Sequence, residues 1–577
     1  MPSNIRFVLS SASKLFSRSA VEATNGSFSL ISASSIRKFS VTASRNMHFV
    51  QFQLKSRGPQ HLGAQLEPNG DIFDISAVDS SIPNSLVECL ATGESVIEKT
   101  KRIIAANRAI VPLSNVKLLP PVIKPSKVIC IGYNYAGHCA ELKIPPPTEP
   151  VFFNKFASCI IGPYDDIKLP EMSEKVDWEV ELAVVIGKKA KCVRKDQVGP
   201  YIFGYTVAQD VSARDWLTSE ANGGQFLLGK CMDTFCPLGP SVVDRDSVGD
   251  VNNLNIKSTL NGELQQSGNT SEFICKIDFI VSYLSHIFTL QPGDIILTGT
   301  PTGVGLHKKP PRFLQRGDVL ESEIEGVGKI LLAAEIYCFI ILTFRIIAAG
   351  KSVVSVNDVN LLAPISKPDK VVCIARNYTG HCQEQNLPAP TEPMFFSKFS
   401  SCLIGPYDEI ILPEISKRVD WEVELAVVMG KKAKCIRPDQ VESYIFGYTI
   451  AQDISARDWQ KERNGGQFLL GKSMDTFCPI GPSVVTRENI IDVNNLNVKT
   501  ILNGDVKQNG NTSEMIFKID FMVSYLSQIF TLLPGDVILT GTPAGVGVHR
   551  NPPLFLKAGD VLESEIECIG RMSNKVV

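Results

Sequence analysis

At 577 residues the chain is too long for a single hydrophobic core, so two or more domains are expected. Its 44% hydrophobic and 20% charged residues are a globular composition, and a net charge of -2 argues against a nucleic-acid or anionic-membrane partner. Fifteen cysteines without a CxxC pair exclude a zinc-ribbon spacing and point to reduced thiols in an intracellular compartment.

Residues 1–46 carry Arg6, Lys14, Arg18, Arg37, Lys38 and Arg45 against one acid, Glu22, among many Ser and Ala. That composition predicts a mitochondrial transit peptide, cleaved between Arg37 and Met47. Residues 47–120 read as a small, separate N-terminal subdomain. An alternating strand around Phe49–Gln53 comes first, turns follow at Gly63 and Asn69-Gly70, and one or two helical pieces lie in 84–107. Pro120, Pro121 and Pro125 then stiffen a link.

From about residue 102 the chain repeats itself with an offset of 243, falling to 242 beyond Asn464. The period is a whole domain. It divides the chain into copy 1 (121–330), a linker or gene-model seam (331–363) and copy 2 (364–577). Residues 331–344 are expected to have no counterpart, and the apolar run between Glu335 and Arg345 is too short to span a bilayer. Within each copy, short strands alternate with Gly, Pro, Asn and Asp turns. Asn261-Gly262 and Asn503-Gly504 signal hairpins. Asn269-Thr-Ser-Glu272 is expected to cap a helix whose apolar face carries Phe279, Val281, Tyr283, Leu284 and Ile287.

Asp177-Trp-Glu-Val-Glu181 recurs as Asp420-Trp-Glu-Val-Glu424. On a strand, Glu179 and Glu181 share a face, as do Glu422 and Glu424, and water, a basic partner or a metal must offset their repulsion. Downstream, Ala208-Gln-Asp210-Val-Ser-Ala-Arg-Asp-Trp recurs as Ala451-Gln-Asp453-Ile-Ser-Ala-Arg-Asp-Trp. Upstream, His138 and Glu141, and His381 and Glu384, stand three apart on one helical face and can hydrogen-bond. Gly299-Thr-Pro-Thr-Gly-Val-Gly lacks the Gly-Lys-Ser/Thr ending of a phosphate loop.

In the order N-Y-x-x-H-x-x-E, E-x-E, D-x-S-A-R-D, G-K and T-G-T-P, both copies resemble the fumarylacetoacetate hydrolase family, and its mitochondrial members most. The resemblance implies an α+β, mainly β, fold: two tandem fumarylacetoacetase C-terminal-like β-sandwich rolls, the first with a small N-terminal α/β subdomain. It implies one Mg²⁺ per copy, with Mn²⁺ or Ca²⁺ as alternatives, on Glu179, Glu181 and Asp210 and on Glu422, Glu424 and Asp453. The pairs His138–Glu141 and His381–Glu384 would handle protons, Lys230 and Lys472 would lie beside the metal, and Thr300 and Thr542 would contact substrate. Where many members place a substrate-contacting Gln, copy 2 has Gln460 and copy 1 has Leu217, which predicts unequal activity of the copies. The implied reaction is oxaloacetate keto–enol tautomerisation, with acylpyruvate hydrolysis and oxaloacetate decarboxylation as alternatives and a metal-stabilised, non-catalytic scaffold as the competing class. The implied substrate is a small 2-oxo acid in the mitochondrial matrix, and the implied assembly is a homodimer or an intrachain pseudo-dimer of the copies.

Overall fold

The structure, a computed structural model, describes residues 47–55, 58–217, 223–336 and 361–577. The expected transit peptide and residues 337–360 of the expected seam lie outside the described residues.

Each copy is organised around one central strand, Val180–Ile186 or Val423–Met429. The runs VELAVVI and VELAVVM are β-branched and apolar, and every residue in them is buried. Such a strand belongs in the middle of a sheet covered on both faces. In copy 1 it pairs with Ile202–Gln209 on one side and Ile295–Leu297 on the other. The latter runs parallel to Val128–Gly132, which is followed outward by Val151–Lys155. Copy 2 repeats this order in a seven-stranded sheet. A smaller sheet accompanies each large one, and a two-residue ribbon, Val176–Asp177 with Ser212–Ala213, lies beside the site.

The N-terminal subdomain is not a separate sheet. Strand His48–Leu54 pairs with Cys236–Asp244, so its strands extend copy 1's sheet to twelve. Two helices, Leu86–Ala91 and Val96–Ala105, follow as the sequence indicates. The addition has a physical consequence at the sheet edge. Cys236–Asp244 is buried along its whole length, whereas residues beyond Gly481 in the matching strand Cys478–Thr486 are partly or fully exposed.

The hairpins form as expected: Asn261 and Gly262 take φ of 53° and 83°, and Asn503 and Gly504 take 53° and 85°. Positive φ at both central residues is the type I′ geometry that suits twisted strands. The Asn269 capping box closes a 3-10 turn, Thr270–Glu272, and the helix begins later, at Ile277. Helix Ile277–Ile287 buries Ile277, Ile280, Val281, Leu284 and Ile287 and leaves Phe279 outside the core, a correction to the expected face.

The seam also needs correcting. Strand Gly328–Ile336 continues six residues into it. Its pairing Val319↔Ala333 matches Val561↔Lys575 in copy 2, and its contact Ala334↔Ile167 matches the bridge Val576–Ile410. The two segments are equivalent in register although their side chains differ, because backbone pairing alone fixes an edge strand.

The copies pack on each other through reciprocal contacts. Asp475 accepts from the Thr289 N–H and hydroxyl at 3.0 and 2.7 Å and pairs with Lys191 at 2.9 Å. Asp233 does the same with Thr531, at 2.9 and 2.7 Å, and with Lys434 at 3.3 Å. Phe156–Phe530 and Phe288–Phe399 are a further exchanged pair, with edge-on rings 5.4 and 5.3 Å apart. Exchange of equivalent partners is the signature of a two-fold relation.

Candidate active site

The central strand and its neighbour deliver the carboxylates. Glu179 and Glu181 stand two apart at the start of the strand, and the Asp210 N–H donates to the Glu179 carbonyl at 2.9 Å, which holds Asp210 beside them. Glu179, Glu181 and Asp210 can each present an oxygen within 4.8 Å of the other two, and so can Glu422, Glu424 and Asp453; all six residues are buried. Short helices Leu227–Lys230 and Leu469–Lys472 carry a lysine into each cluster. Lys230 Nζ lies 2.7 Å from both Glu179 Oε2 and Asp210 Oδ2, and Lys472 Nζ lies 2.9 and 2.6 Å from Glu422 Oε2 and Asp453 Oδ2.

Three residues that the sequence reading did not assign complete each cluster. Lys155 Nζ is 2.8 Å from Asp210 Oδ1, and Lys398 Nζ is 2.7 Å from Asp453 Oδ1. Arg214 spans Asp177 at 2.8 Å and Glu179 at 2.7 Å, and Arg457 spans Asp420 and Glu422 at 2.8 and 2.6 Å. A lysine inside the largely apolar Val-Phe-Phe-Asn-Lys155-Phe was the available signal, because a buried lysine needs an anionic partner.

Each cluster therefore sets four carboxylates, Asp177 included, against three cations. The imbalance falls on one residue. Burial, then Asp210 and Glu179, push the Glu181 carboxyl well above the ordinary carboxylate range, and burial, Asp453 and Glu422 do the same to Glu424. Burial would also raise Glu179, but Lys230 and Arg214 overcome it and hold that carboxyl at about 2. Glu422 is likewise held well below its usual value, against burial, by Lys472 and Arg457. One proton or one added cation balances each cluster.

His138 and His381 come from helices Ala136–Leu142 and Thr379–Glu384 and are buried. Their Nδ1 atoms lie 3.2 Å from Glu141 Oε2 and 2.5 Å from Glu384 Oε1. The acids are anchored in turn by the N–H groups of Gly303 and Gly545 at 3.1 and 2.8 Å. In copy 2 the Gln385 amide also reaches His381 Nε2 at 2.7 Å. Donation by that amide fixes the His381 proton on Nδ1, facing Glu384.

In copy 2 a cavity of about 230 Å³ brings His381, Glu422, Glu424, Gln460, Lys472 and Thr542 onto one wall system. Gly223 of copy 1 also lines it. Thr542 donates its hydroxyl to the Val423 carbonyl at 2.9 Å and accepts from Gln508 at 2.8 Å. Thr300 has the same pair of partners, Val180 and Gln266, at 3.0 and 2.8 Å. Gln460 is held by Arg457 at 3.0 Å, whereas Leu217 is buried against Gly229.

The profile of the fumarylacetoacetate hydrolase C-terminal family matches residues 127–332 and 370–577. A Bos taurus protein named oxaloacetate tautomerase FAHD2A, mitochondrial, is 49% identical over 288 residues, covering 50% of this chain and 91% of that protein. The Homo sapiens protein named oxaloacetate tautomerase FAHD2B, mitochondrial, is 47% identical over 51% of this chain and 94% of its own length. Among solved structures, a fumarylacetoacetate hydrolase from Exiguobacterium antarcticum is 33% identical over 50% of this chain and all of its own, with a TM-score of 0.45. The chain belongs to the fumarylacetoacetate hydrolase family and carries that family's C-terminal domain twice.

Proposed function

We propose that the chain is a Mg²⁺-dependent enzyme of the mitochondrial matrix and that its reaction is the keto–enol tautomerisation of oxaloacetate. The observation that carries this reading is one cavity lined by Glu422 and Glu424 of a buried carboxylate triad, by Lys472 and by His381, whose Nδ1 lies 2.5 Å from Glu384. Relatives named mitochondrial oxaloacetate tautomerases, nearly half identical over half the chain, support the substrate and the compartment.

The donor set fits a hard dication, since it offers oxygens only and carries net negative charge, and a dication would leave one positive charge for a substrate anion. Glu179, Glu181 and Asp210 would hold one ion, and Glu422, Glu424 and Asp453 a second, with Mg²⁺ favoured over Mn²⁺ and Ca²⁺. Such an ion supplies a Lewis acid for the 2-oxo group and stabilises the negative charge that develops when the C3 proton leaves. The protein's own groups do the rest. Lys472 adds fixed positive charge next to Glu422 and Asp453, where an oxyanion would build up. His381, its proton held on Nδ1 by Glu384, takes the C3 proton at Nε2 once the Gln385 amide gives way to substrate, and delivers it to the 2-oxo oxygen to complete the enol. Gln460 orients the substrate. Thr542, its hydroxyl given to Val423, shapes the wall that the substrate meets. The copy 1 residues His138, Glu141, Lys230 and Thr300 have the same roles at the other site.

The exchanged contacts of Asp233 and Asp475 support reading the two copies as an intrachain pseudo-dimer. Light scattering should then give a mass near the chain's own 63.1 kDa. The reading is tested by following enol-oxaloacetate and acylpyruvate absorbance with Mg²⁺ or EDTA. Metal-dependent loss of the enol with inert acylpyruvates supports it. Metal-dependent acylpyruvate cleavage alone replaces tautomerisation with hydrolysis, and no metal-dependent rate on either leaves a scaffold.

A further inference from the structure

The two sites keep the same charged floor but differ in the walls above it. Three positions equivalent by the repeat offset change in one direction. Arg376, Gln385 and Gln460 of copy 2 correspond to Tyr133, Leu142 and Leu217 of copy 1. All three copy 2 residues line the cavity.

Arg376 is the most informative of them. Among the described residues, its guanidinium makes one hydrogen bond, to Met394 Sδ at 3.4 Å. A thioether is a weak acceptor, so among the described residues this fixed positive charge faces the cavity without an anionic partner. Every other cation of that site, Lys398, Arg457 and Lys472, is already paired with a carboxylate. Arg376 also takes a positive φ of 56°, and Tyr133 takes 60°. The backbone therefore presents both side chains from the same kind of turn.

In copy 1 that turn carries a phenol. Tyr133 packs edge-on to Phe226 with ring centroids 6.3 Å apart, and Phe226 packs edge-on to Phe153 at 5.5 Å. Lys230 Nζ lies 4.9 Å above the Phe153 ring, and copy 2 repeats this arrangement with Phe468, Phe396 and Lys472, so Tyr133 is the aromatic residue that sets the copy 1 wall apart. Leu142 cannot supply the amide that Gln385 gives to His381, and Leu217 cannot replace the polar end of Gln460.

We infer that the two sites take different 2-oxo acids: the site of copy 2 a dianion whose distal carboxylate pairs with Arg376, the site of copy 1 a monoanion whose tail is apolar and lies against Tyr133. The carboxylate at the reacting end would meet the same floor in both. The inference rests on the proposed 2-oxo acid reading but not on which reaction follows binding. A charge-assisted hydrogen bond gained at Arg376, and a carboxylate stranded against the Tyr133 wall, should each shift relative affinity by roughly tenfold.

The test is calorimetric titration of the full-length, Mg²⁺-loaded protein with two stable probes, 2-oxoglutarate and 4-methyl-2-oxopentanoate. Glu181→Ala leaves the copy 2 site intact and Glu424→Ala leaves the copy 1 site intact. The expected result is tighter 2-oxoglutarate binding in the Glu181→Ala protein and tighter 4-methyl-2-oxopentanoate binding in the Glu424→Ala protein. Adding Arg376→Tyr to Glu181→Ala should move the ratio to that of copy 1, and Tyr is accommodated at the equivalent turn. Ratios that agree within about twofold, a ratio unmoved by Arg376→Tyr, or no binding of either probe would overturn the inference. Divided affinities in a protein that does not turn over enol-oxaloacetate would remove the tautomerase reading and leave this one standing.

Discussion

Replacing Glu181 and Glu424 together by Gln should separate the metal's contribution from the fold's. Each Glu carboxyl can present an oxygen within 4.8 Å of two further carboxylates. At an effective dielectric constant of about 20, one such contact between full charges costs roughly 3–4 kcal/mol. Burial and these neighbours raise the Glu181 and Glu424 carboxyls and so favour their protonated form when no cation is bound. Gln is neutral, nearly isosteric, and can still accept the Gly299 or Gly541 N–H that Glu181 and Glu424 accept at 2.6 Å. In EDTA the double variant should therefore match the parent in urea unfolding within about 1 kcal/mol. In Mg²⁺ at 100 times Kd the parent should gain about 2.7 kcal/mol for each site and the variant little or nothing. A variant much weaker than the parent in EDTA, or one that keeps the full Mg²⁺ gain, would refute the account of these two residues as the charge-imbalanced members of the triads.

The raised Glu181 and Glu424 carboxyls also set a pH dependence. A raised carboxyl makes a cation compete with a proton, so Mg²⁺ affinity should rise with pH until that carboxyl ionises. Titrations in buffers of different ionisation heats should show proton release, and an affinity flat with pH would contradict it. Removing the exchanged contacts with Asp233→Ala and Asp475→Ala leaves two Thr N–H groups and two lysines without these partners, and each change should cost about 1–3 kcal/mol in urea unfolding. Glu384→Gln should lower kcat of the copy 2 site by about 10²-fold with little change in KM, because it alters the orientation and basicity of His381 rather than substrate contact. An unchanged kcat would remove the proton-handling role.

The sequence reading succeeded where chemistry repeats at short range. The Glu-x-Glu strand, the His–Glu helical turn and the Asn-Gly hairpins are local patterns, and local geometry dictates them. What was illegible depends on distance through the fold. Nothing near Lys155 in the chain announces Asp210, which reaches it from another strand. Arg214 was visible in its motif, but its bridge from Asp177 to Glu179 needs the two-residue ribbon that brings residues 176–177 against 212–213. Glu179 and Glu181 read as equivalent on a shared face, yet their carboxyls shift in opposite directions because Lys230 and Arg214 bond Glu179 directly, while Glu181 faces Asp210 and Glu179. The strand to Ile336 was missed because its side chains do not match those of copy 2, and pairing register leaves no trace in side-chain identity.

The most direct measurement is the initial rate of enol-oxaloacetate disappearance with Mg²⁺, for the full-length chain beside its Glu181→Ala/Glu424→Ala double variant. The account predicts a rate well above the uncatalysed one that collapses in EDTA and in the variant. An unchanged rate in the variant, or one indifferent to chelation, would contradict a reaction centred on the two carboxylate triads.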